Sequence, residues 1–265
     1  MKLIACSDQH LGYENADKAS FNEFLDDLKT DHDLTILVLL GDVVDMWRRD
    51  AAGVFLENWD TIEKIQSLMP KVDVHYVAGN HDFHVLQLQR HSYPFHFEKS
   101  LTVTDKNQVY RFQHGYEFDP LQHEWIMESL CKVMSDGTGN FESEAWATIT
   151  KDWSGLEYIL TSPFKKRRIQ DNVDHMMTTP EVRLQQTIQD VDKRAYDSVQ
   201  PGEMLVYGHT HRPFISSDEK LVNIGSWVTD SKIHNTYLEI SDGKPKLVVY
   251  GGNEIPAAQF LTVPA

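Results

Sequence analysis

One stretch of the chain limits its fold more than any other: the apolar run Thr35–Leu40 and the carboxylates that follow it. The run is β-branched and aliphatic without polar alternation, which is typical of a strand buried on both faces of a parallel sheet. Gly41 ends the run, and Asp42 and Asp45 come directly after it. Because open α/β sheets bind ligands beyond the carboxyl ends of their strands, the stretch predicts an α/β fold with an acidic binding edge. An ordinary turn is the alternative, since Gly and Asp are common turn residues.

Four more strand-like segments are each followed by residues that can bind a metal or transfer a proton. They are Lys2–Ser7 with Asp8 and His10, Val72–Val77 with Asn80 and His81, Tyr110–Gln113 with His114, and Met204–Tyr207 with His209 and His211. Carboxylate, imidazole and amide ligands without thiolate suit Mn²⁺, Fe or Zn²⁺. Because such residues recur after every one of these strands, we predict that they form one shared site.

The segments between these strands have the spacing of helices or short strands. Phe21–Leu28 predicts a crossover helix, which makes the first two strands a parallel pair. Phe55–Met69 predicts one amphipathic helix that Pro70 ends. The last part of the chain predicts short strands with a hairpin turn at Asp242 and Gly243, namely Leu221–Ile224, Thr236–Ile240 and Lys246–Val249.

Composition and charge indicate in which compartment the protein works and which partners are disfavoured. The apolar runs of the sequence are shorter than a membrane span. Two cysteines, Cys6 and Cys131, give no disulfide framework, so we expect a reducing cytoplasm. The formal net charge of −15 would repel a polyanion, which disfavours nucleic acid as a partner.

In chain order, the five motifs resemble those of the calcineurin-like metallophosphoesterase superfamily. They read Asp-Xaa-His from Asp8, Gly-Asp-Xaa-Xaa-Asp from Gly41, Gly-Asn-His-Asp from Gly79, His-Gly from His114 and Gly-His-Thr-His from Gly208. The resemblance covers Asp8 to His211. It implies an α/β fold, a four-layer α/β/β/α sandwich with two metal ions at the strand ends, in a single domain that spans residues 1–265.

The same resemblance implies a role for each motif residue. The implied ligands are Asp8, His10 and His211 for one divalent metal, Asn80, His114 and His209 for the other, and Asp42 as the bridge. Mn²⁺ is the expected metal, with Fe or Zn²⁺ as alternatives. His81 would face the phosphate as a general acid oriented by Asp45, or would act as an outer hydrogen-bonding residue. The implied reaction is hydrolysis of a phosphodiester or diphosphate bond by a metal-bridging hydroxide.

Two basic stretches are candidates for contacts with an anionic substrate. Arg48 and Arg49 follow the bridging motif and are candidate contacts for a second phosphate, through guanidinium forks. The alternative is a solvated pair at the start of a helix. The run Lys165–Arg168 would reach a diphosphate or an anionic membrane surface, or would be a solvated loop.

Residues 118–199 differ in character and predict a helical insertion over the site. The helix-like parts are Leu121–Met134, Phe141–Leu160 and Glu181–Val199, and they carry many apolar and aromatic residues. We predict that this insertion is a lid that selects the substrate, with peripheral contact to a membrane. The alternative is that its helices complete one layer of the sandwich.

Two branches of the superfamily compete. Ser7–Tyr13 resembles the start of double-strand-break repair nucleases, but those carry a DNA-facing capping domain where this chain has short strands. Gly41–Trp47, His209–Pro213 and Asn223–Trp227 resemble the UDP-2,3-diacylglucosamine hydrolase-like branch, although Tyr116 stands where that branch often has Asp. We therefore expect a metal-dependent phosphoesterase acting on a lipid-linked or nucleotide diphosphate. A repair-type nuclease and a broad-specificity phosphodiesterase are the alternatives, and an inactive scaffold is the least favoured hypothesis.

Overall fold

A computed structural model describes residues 1–90, 95–119 and 180–258. The first half contains β1 (Lys2–Cys6), α1 (Lys18–Thr30), β2 (Leu34–Leu40), α2 (Ala51–Glu57), α3 (Trp59–Leu68), β3 (Asp73–Val77) and a 3-10 helix (Phe83–Arg90). After it come β4 (His96–Glu98), β5 (Ser100–Asp105), β6 (Gln108–Gln113) and a short 3-10 helix (Tyr116–Phe118). The last part contains α4 (Pro180–Asp197), β7 (Glu203–Tyr207), β8 (Phe214–Ile215), β9 (Leu221–Asn223), β10 (Thr236–Ser241), β11 (Lys244–Val249) and β12 (Glu254–Ile255).

The strands form two sheets. The first sheet has seven strands in the order β12-β11-β10-β1-β2-β3-β4, and the second has five in the order β5-β6-β7-β9-β8. In the first sheet β1 to β4 run parallel, as the crossover helix α1 requires for β1 and β2. In the second sheet β6, β7 and β9 run parallel. Parallel strands end at the same edge of a sheet, so the predicted site residues lie at two carboxyl edges.

Alternate residues of the strands enter different cores. In β2, Val38 and Leu40 join the core between the two sheets, whereas Leu37 and Leu39 join the core beneath α1 and α3. In β7, Val206 lies between the sheets. Leu205 and Tyr207 pack with α4 residues on the outer face. The layers are therefore helix, sheet, sheet and helix, which confirms the predicted four-layer sandwich.

Most predicted elements are present, but one predicted helix is two. Residues Phe55–Met69 do not form a single helix: α2 ends at Glu57 and α3 begins at Trp59. The break lies at Asn58, which has φ −120° and ψ 20°. Its backbone N–H and its side-chain amide both donate to the Val54 carbonyl, at 3.2 and 2.8 Å. An Asn side chain that competes for a backbone acceptor in this way favours a helix end.

The insertion predicted at residues 118–199 lies mostly outside the described residues. Its last helix, α4, packs through the buried residues Val191 and Ala195 against the second sheet, beside Phe118. This helix is therefore the fourth layer of the sandwich. The lid predicted over residues 118–199 stays a prediction. Among the described helices, none has the length and apolar content needed to cross a bilayer.

Candidate metal centre

The turns that carry the candidate ligands share an uncommon backbone conformation. Asp8, His10, Asp42, His209 and His211 have φ values of 56°, 47°, 52°, 64° and 54°. A residue with a Cβ pays roughly 1–2 kcal/mol for this left-handed conformation. Only four other non-glycine residues adopt it within the described ranges, so the strain is concentrated at the carboxyl edges of the sheets. Strain of this kind clusters at functional sites, because the surrounding structure must hold it.

Hydrogen bonds between neighbouring loops hold these turns. The backbone N–H groups of Asp8 and His10 donate to the carbonyls of Gly41 and Asp42, at 3.0 and 2.8 Å. Across the two sheets, the backbone N–H of His209 donates to Asp8 Oδ2 at 3.0 Å. The loops after β1, β2 and β7 are therefore fixed to one another before any ligand binds.

Two glycines let the loops approach closely. A Cβ added at Gly79 would collide with the Asp42 carboxylate, and one added at Gly208 would collide with the side chains of Ser7 and Asp8. The glycines of the Gly-Asn-His-Asp and Gly-His-Thr-His motifs therefore make room for the two carboxylates.

The first group of converging ligand atoms is Asp8, His10 and His211. His211 Nε2 lies 3.1 Å from Asp8 Oδ1 and 3.2 Å from His10 Nε2. His10 Nε2 lies 3.7 Å from the same Asp8 oxygen. These are the three residues predicted from the sequence to hold one metal.

The second group is Asp8, Asp42 and His114. His114 Nδ1 donates to the Leu40 carbonyl at 2.8 Å, which leaves Nε2 facing the carboxylates. That Nε2 lies 3.2 Å from Asp42 Oδ2 and 3.9 Å from Asp8 Oδ1. His209 is not part of this group, but its ring lies 5.4 Å from the His114 ring. Asp8 therefore belongs to both groups, although the sequence predicted only Asp42 as the shared residue.

Buried atoms without a well-formed hydrogen bond indicate that the centre fits cations. Within the described ranges, Asp8 Oδ1, Asn80 Oδ1 and His114 Nε2 are buried and make no hydrogen bond of good geometry, although His211 Nε2 lies 3.1 Å from the first and Asp42 Oδ2 lies 3.2 Å from the last. A buried polar atom without a partner costs about 1–3 kcal/mol, so these atoms are suited to a ligand that they would bind. Oxygen and imidazole donors without thiolate are the set that Mn²⁺, Fe and Zn²⁺ accept.

The charges of the centre point the same way. Burial raises the pKa of Asp42, but the imidazoles of His114 and His81 outweigh burial and hold that pKa below its usual range. Burial lowers the pKa of His10 and of His114, yet the neighbouring carboxylates raise both to about 10. Burial and the charge of His114 lower the pKa of His209 to about 3. The buried carboxylates thus hold protons on two imidazoles, and a metal that binds there must displace these protons.

Comparison with known proteins identifies the family. The family model described as calcineurin-like phosphoesterase matches residues 1–213. The chain belongs to the calcineurin-like phosphoesterase family. As a member it is a phosphoester hydrolase, and the candidate ligand groups agree with the divalent metals that this family typically uses.

Individual relatives are distant but match along most of the chain. The UDP-2,3-diacylglucosamine hydrolase of Shewanella baltica (strain OS185) is 22% identical over 240 residues, which cover 88% of this chain and 92% of that protein. Among solved structures, the phosphoesterase Yfce from E. coli has a TM-score of 0.48 at 18% identity, covering 97% of both chains. A dimetal phosphatase from Danio rerio has a TM-score of 0.44 at 11% identity, also covering 97% of both chains.

In this phosphoesterase, one carboxylate joins two histidines. His81 Nδ1 lies 2.9 Å from Asp45 Oδ1, and His10 Nδ1 lies 3.1 Å from Asp45 Oδ2. Since each imidazole contacts Asp45 through Nδ1, each directs Nε2 away from that carboxylate, and His81 Nε2 lies 3.9 Å from Asp42 Oδ2. The sequence predicted the pair of His81 with Asp45 but not the contact of Asp45 with His10.

Burial changes the expected basicity of His81. From the sequence alone, Asp45 is the expected partner of His81, and its charge favours the protonated imidazole. In the structure, burial lowers the pKa of His81 and prevails over the opposing effects of Asp45 and Asp42. The pKa of His81 is therefore below its ordinary value.

The two arginines considered for a second phosphate have carboxylate partners. Arg48 forms an ion pair with Asp45, and its guanidinium lies 4.4 Å from the centre of the Tyr13 ring. Arg49 forms ion pairs with Asp50, at 2.6 Å, and with Glu57. A phosphate contact by either arginine would require these ion pairs to open, so the predicted role stays a prediction.

Two residues of the site were given no role by the sequence. Asp82 is buried and accepts hydrogen bonds from the Val43 N–H, the Gly79 N–H and the Tyr76 hydroxyl, at 2.8, 2.7 and 2.6 Å. It therefore connects the loops after β2 and β3. Trp47 stacks on His81. Both residues lie inside stretches that were identified as motifs from the sequence. Their position in these motifs was the one sequence signal that could have indicated a role.

Proposed function

We propose that the protein is a two-metal phosphoesterase that cleaves a phosphodiester or diphosphate bond. One observation carries the proposal: two groups of donor atoms, buried except for the partly exposed His211, meet at Asp8, and each draws ligands from both sheets. Asp8, His10 and His211 would hold one cation, and Asn80, His114 and His209 the other, with Asp42 between them. When bound, two such cations stabilise the attacking and leaving oxygens at phosphorus and lower the pKa of a water.

The side chains of the protein position the reacting groups and supply a proton to the leaving oxygen. Asp45 holds His81 by Nδ1, so Nε2 of His81 is the atom available to a phosphate oxygen. A general acid at that place would protonate the leaving oxygen and contribute roughly 10²–10⁴-fold to the rate. Asp45 also holds the ligand His10, so one carboxylate orients a metal ligand and the proposed acid together.

For the substrate, we favour a lipid-linked or nucleotide diphosphate. The support is the similarity to UDP-2,3-diacylglucosamine hydrolase along 88% of the chain, together with the net charge of −15, which disfavours long nucleic acids. The pairing of Arg48 and Arg49 with carboxylates further reduces free positive charge near the centre.

The test compares substrates with and without metal. The purified protein is stripped with a chelator, dialysed, and assayed after addition of Mn²⁺, Fe²⁺, Zn²⁺ or buffer alone. The substrates are an aryl phosphodiester, UDP-2,3-diacylglucosamine and a DNA oligonucleotide. We expect hydrolysis only with metal, and faster turnover of the diphosphate. Equal hydrolysis with and without metal would contradict the proposal. Preferred cleavage of DNA would support the nuclease alternative, and equal use of all three would support the broad phosphodiesterase.

A further inference from the structure

Trp47 forms a buried face-to-face contact with His81. The centres of the two rings lie 4.1 Å apart, and their planes make an angle of 19°. Trp47 is 4% exposed and His81 is 5% exposed. Both rings therefore have little freedom to change conformation without disturbing their surroundings.

The turn Asp45–Arg48 presents the indole and the carboxylate to His81 together. Asp45 Oδ1 accepts hydrogen bonds from the backbone N–H groups of Trp47 and Arg48, at 3.2 and 3.1 Å. The same oxygen lies 2.9 Å from His81 Nδ1. The atom that binds the edge of the imidazole thus also fixes the turn that carries the indole.

A hydrogen bond at Nδ1 alone does not fix the orientation of the imidazole. The ring could still rotate about the line between Nδ1 and the carboxylate oxygen, which would move Nε2 away from the centre. The indole lies flat against the ring and opposes this rotation. The His10 ring packs against His81 at 4.7 Å with an angle of 89°, which restricts the ring from another direction.

We propose that Trp47 is a positioning residue, which keeps His81 Nε2 directed at the phosphate by stacking on the imidazole. This inference rests on the proposed role of His81 as the acid. Catalytic groups must be held within about 10–20° of the productive geometry, and a displacement of about 1 Å can cost 10²-fold in rate. Trp47 touches no reacting atom in this scheme and acts only through His81.

The test replaces the indole of Trp47 by an aliphatic side chain in one variant and by a smaller aromatic ring in another. Trp47→Leu removes the flat surface, whereas Trp47→Phe keeps an aromatic face. With a phenyl phosphodiester, a poor leaving group, we expect Trp47→Leu to lower kcat about 10- to 100-fold. Trp47→Phe should recover most of this loss, and KM should change little. A nitrophenyl substrate needs less protonation, so its loss should be smaller. Trp59→Leu, at a tryptophan that is 57% exposed, is the matched control and should leave the rate unchanged.

A double-mutant cycle separates positioning from a structural role. If Trp47 acts through His81, Trp47→Leu should have almost no further effect in a His81→Ala background. Equal losses in both backgrounds, or loss of bound metal in Trp47→Leu, would overturn the inference while leaving the proposed acid intact. If His81→Ala itself retained the full rate with the phenyl substrate, the proposed acid would fail, and the inference with it.

A spectroscopic measurement tests the stack without relying on activity. In the chelated protein, the indole should shift the ring protons of His81 upfield in the NMR spectrum, because they lie over an aromatic face. Trp47→Leu should remove this shift and Trp47→Phe should retain part of it. His81 resonances that are the same in Trp47→Leu and in the parent protein would contradict the stacked geometry.

Discussion

Within the described residues, two clusters of histidines and carboxylates share residue types but differ in environment. One is the candidate metal centre. The other, which we name the edge cluster, consists of Asp73, His75, His96 and Glu98 on the neighbouring strands β3 and β4. In the edge cluster, the two nitrogens of His75 lie 2.9 Å from Glu98 and 3.3 Å from Asp73. His96 Nε2 lies 3.1 Å from Asp73.

The two clusters differ in burial, in backbone conformation and in whether their polar atoms are hydrogen-bonded. The side chain of Asp42 is 2% exposed, whereas that of Asp73 is 53% exposed. The described residues with a left-handed backbone include five of the metal centre and none of the edge cluster. Asp8 and His114 leave buried atoms without hydrogen bonds, whereas Asp73 and His75 bond each other in solvent. Residue types alone therefore do not distinguish the candidate metal centre from the edge cluster, whereas backbone strain together with buried atoms that lack hydrogen bonds does.

The largest expected effect is that of Asp42, the proposed bridging ligand. Asp42→Asn removes the negative charge proposed to lie between the cations, so hydrolysis of an aryl phosphodiester should fall to background and metal content should drop. The loss should exceed the roughly 10- to 100-fold that follows removal of an outer partner of a ligand. Asp73→Asn is the matched control from the edge cluster and should retain metal and rate. Metal analysis and steady-state kinetics would check both. A similar loss of metal and rate in the two variants would contradict the distinction between the two clusters.

The next effect concerns one histidine from each cluster. His81→Ala should lower the rate with a poor leaving group by roughly 10²–10⁴-fold, because a general acid is lost. Both metals should remain bound, since Asn80 and not His81 is the proposed ligand. His75→Ala should leave the rate unchanged. Loss of metal from the His81→Ala protein would instead make His81 a ligand, as its place in a group with His10 and Asp45 also permits.

A third, smaller effect tests how burial perturbs a carboxylate that belongs to neither cluster. Burial raises the pKa of Asp192 from 3.8 to about 6, against the hydrogen bond that the Tyr207 hydroxyl donates at 2.5 Å. Because the folded-state pKa exceeds the unfolded value, the folded protein loses about 2–3 kcal/mol of stability as the pH rises from 3.8 to about 6.

Asp192→Asn keeps an acceptor for Tyr207 but cannot ionise. Urea denaturation at several pH values should show equal stability of parent and variant near pH 4 and a more stable variant above pH 6. Taking the difference between the two proteins cancels the other titrating groups. A difference that does not change with pH would contradict the raised pKa.

The smallest effect is the stability of the edge cluster. Exposed ion pairs contribute about 0.2–1 kcal/mol, so Asp73→Asn should lower the free energy of unfolding by only a few tenths of a kcal/mol. Since the interaction is screened by salt, the difference should disappear near 1 M NaCl. A loss of several kcal/mol in denaturation experiments would show that the edge cluster is more than a surface ion pair.

The sequence predicted the layers and the loops of the site better than the contacts within it. Apolar runs that end in metal-binding residue types recur along the chain, and the five motifs resemble those of a known superfamily, so the central strands, α1 and the convergence of Asp8, His10 and His211 could be anticipated. The break at Asn58 could not, because it depends on one side chain competing for the Val54 carbonyl.

Pairwise contacts depend on how loops fold back on one another. Arg48 is next to the bridging motif in sequence, yet its partner is Asp45 within the same turn. The lowered pKa of His81 depends on burial, which a motif does not reveal. The edge strands β4, β5, β8 and β12 also escaped prediction. Three of them have only two or three residues, which carry no detectable period.

The origin of the ligands has a consequence for folding. In each of the two ligand groups that meet at Asp8, Asp8 with His10 or Asp42 comes from the first sheet, while His211 or His114 comes from the second. A cation bound by either group would therefore act as a cross-link between the sheets and stabilise their packing by its binding free energy. The group of His10, Asp45 and His81 comes from the first sheet alone and gives no such cross-link. Metal loading would therefore be thermodynamically coupled to closure of the sandwich.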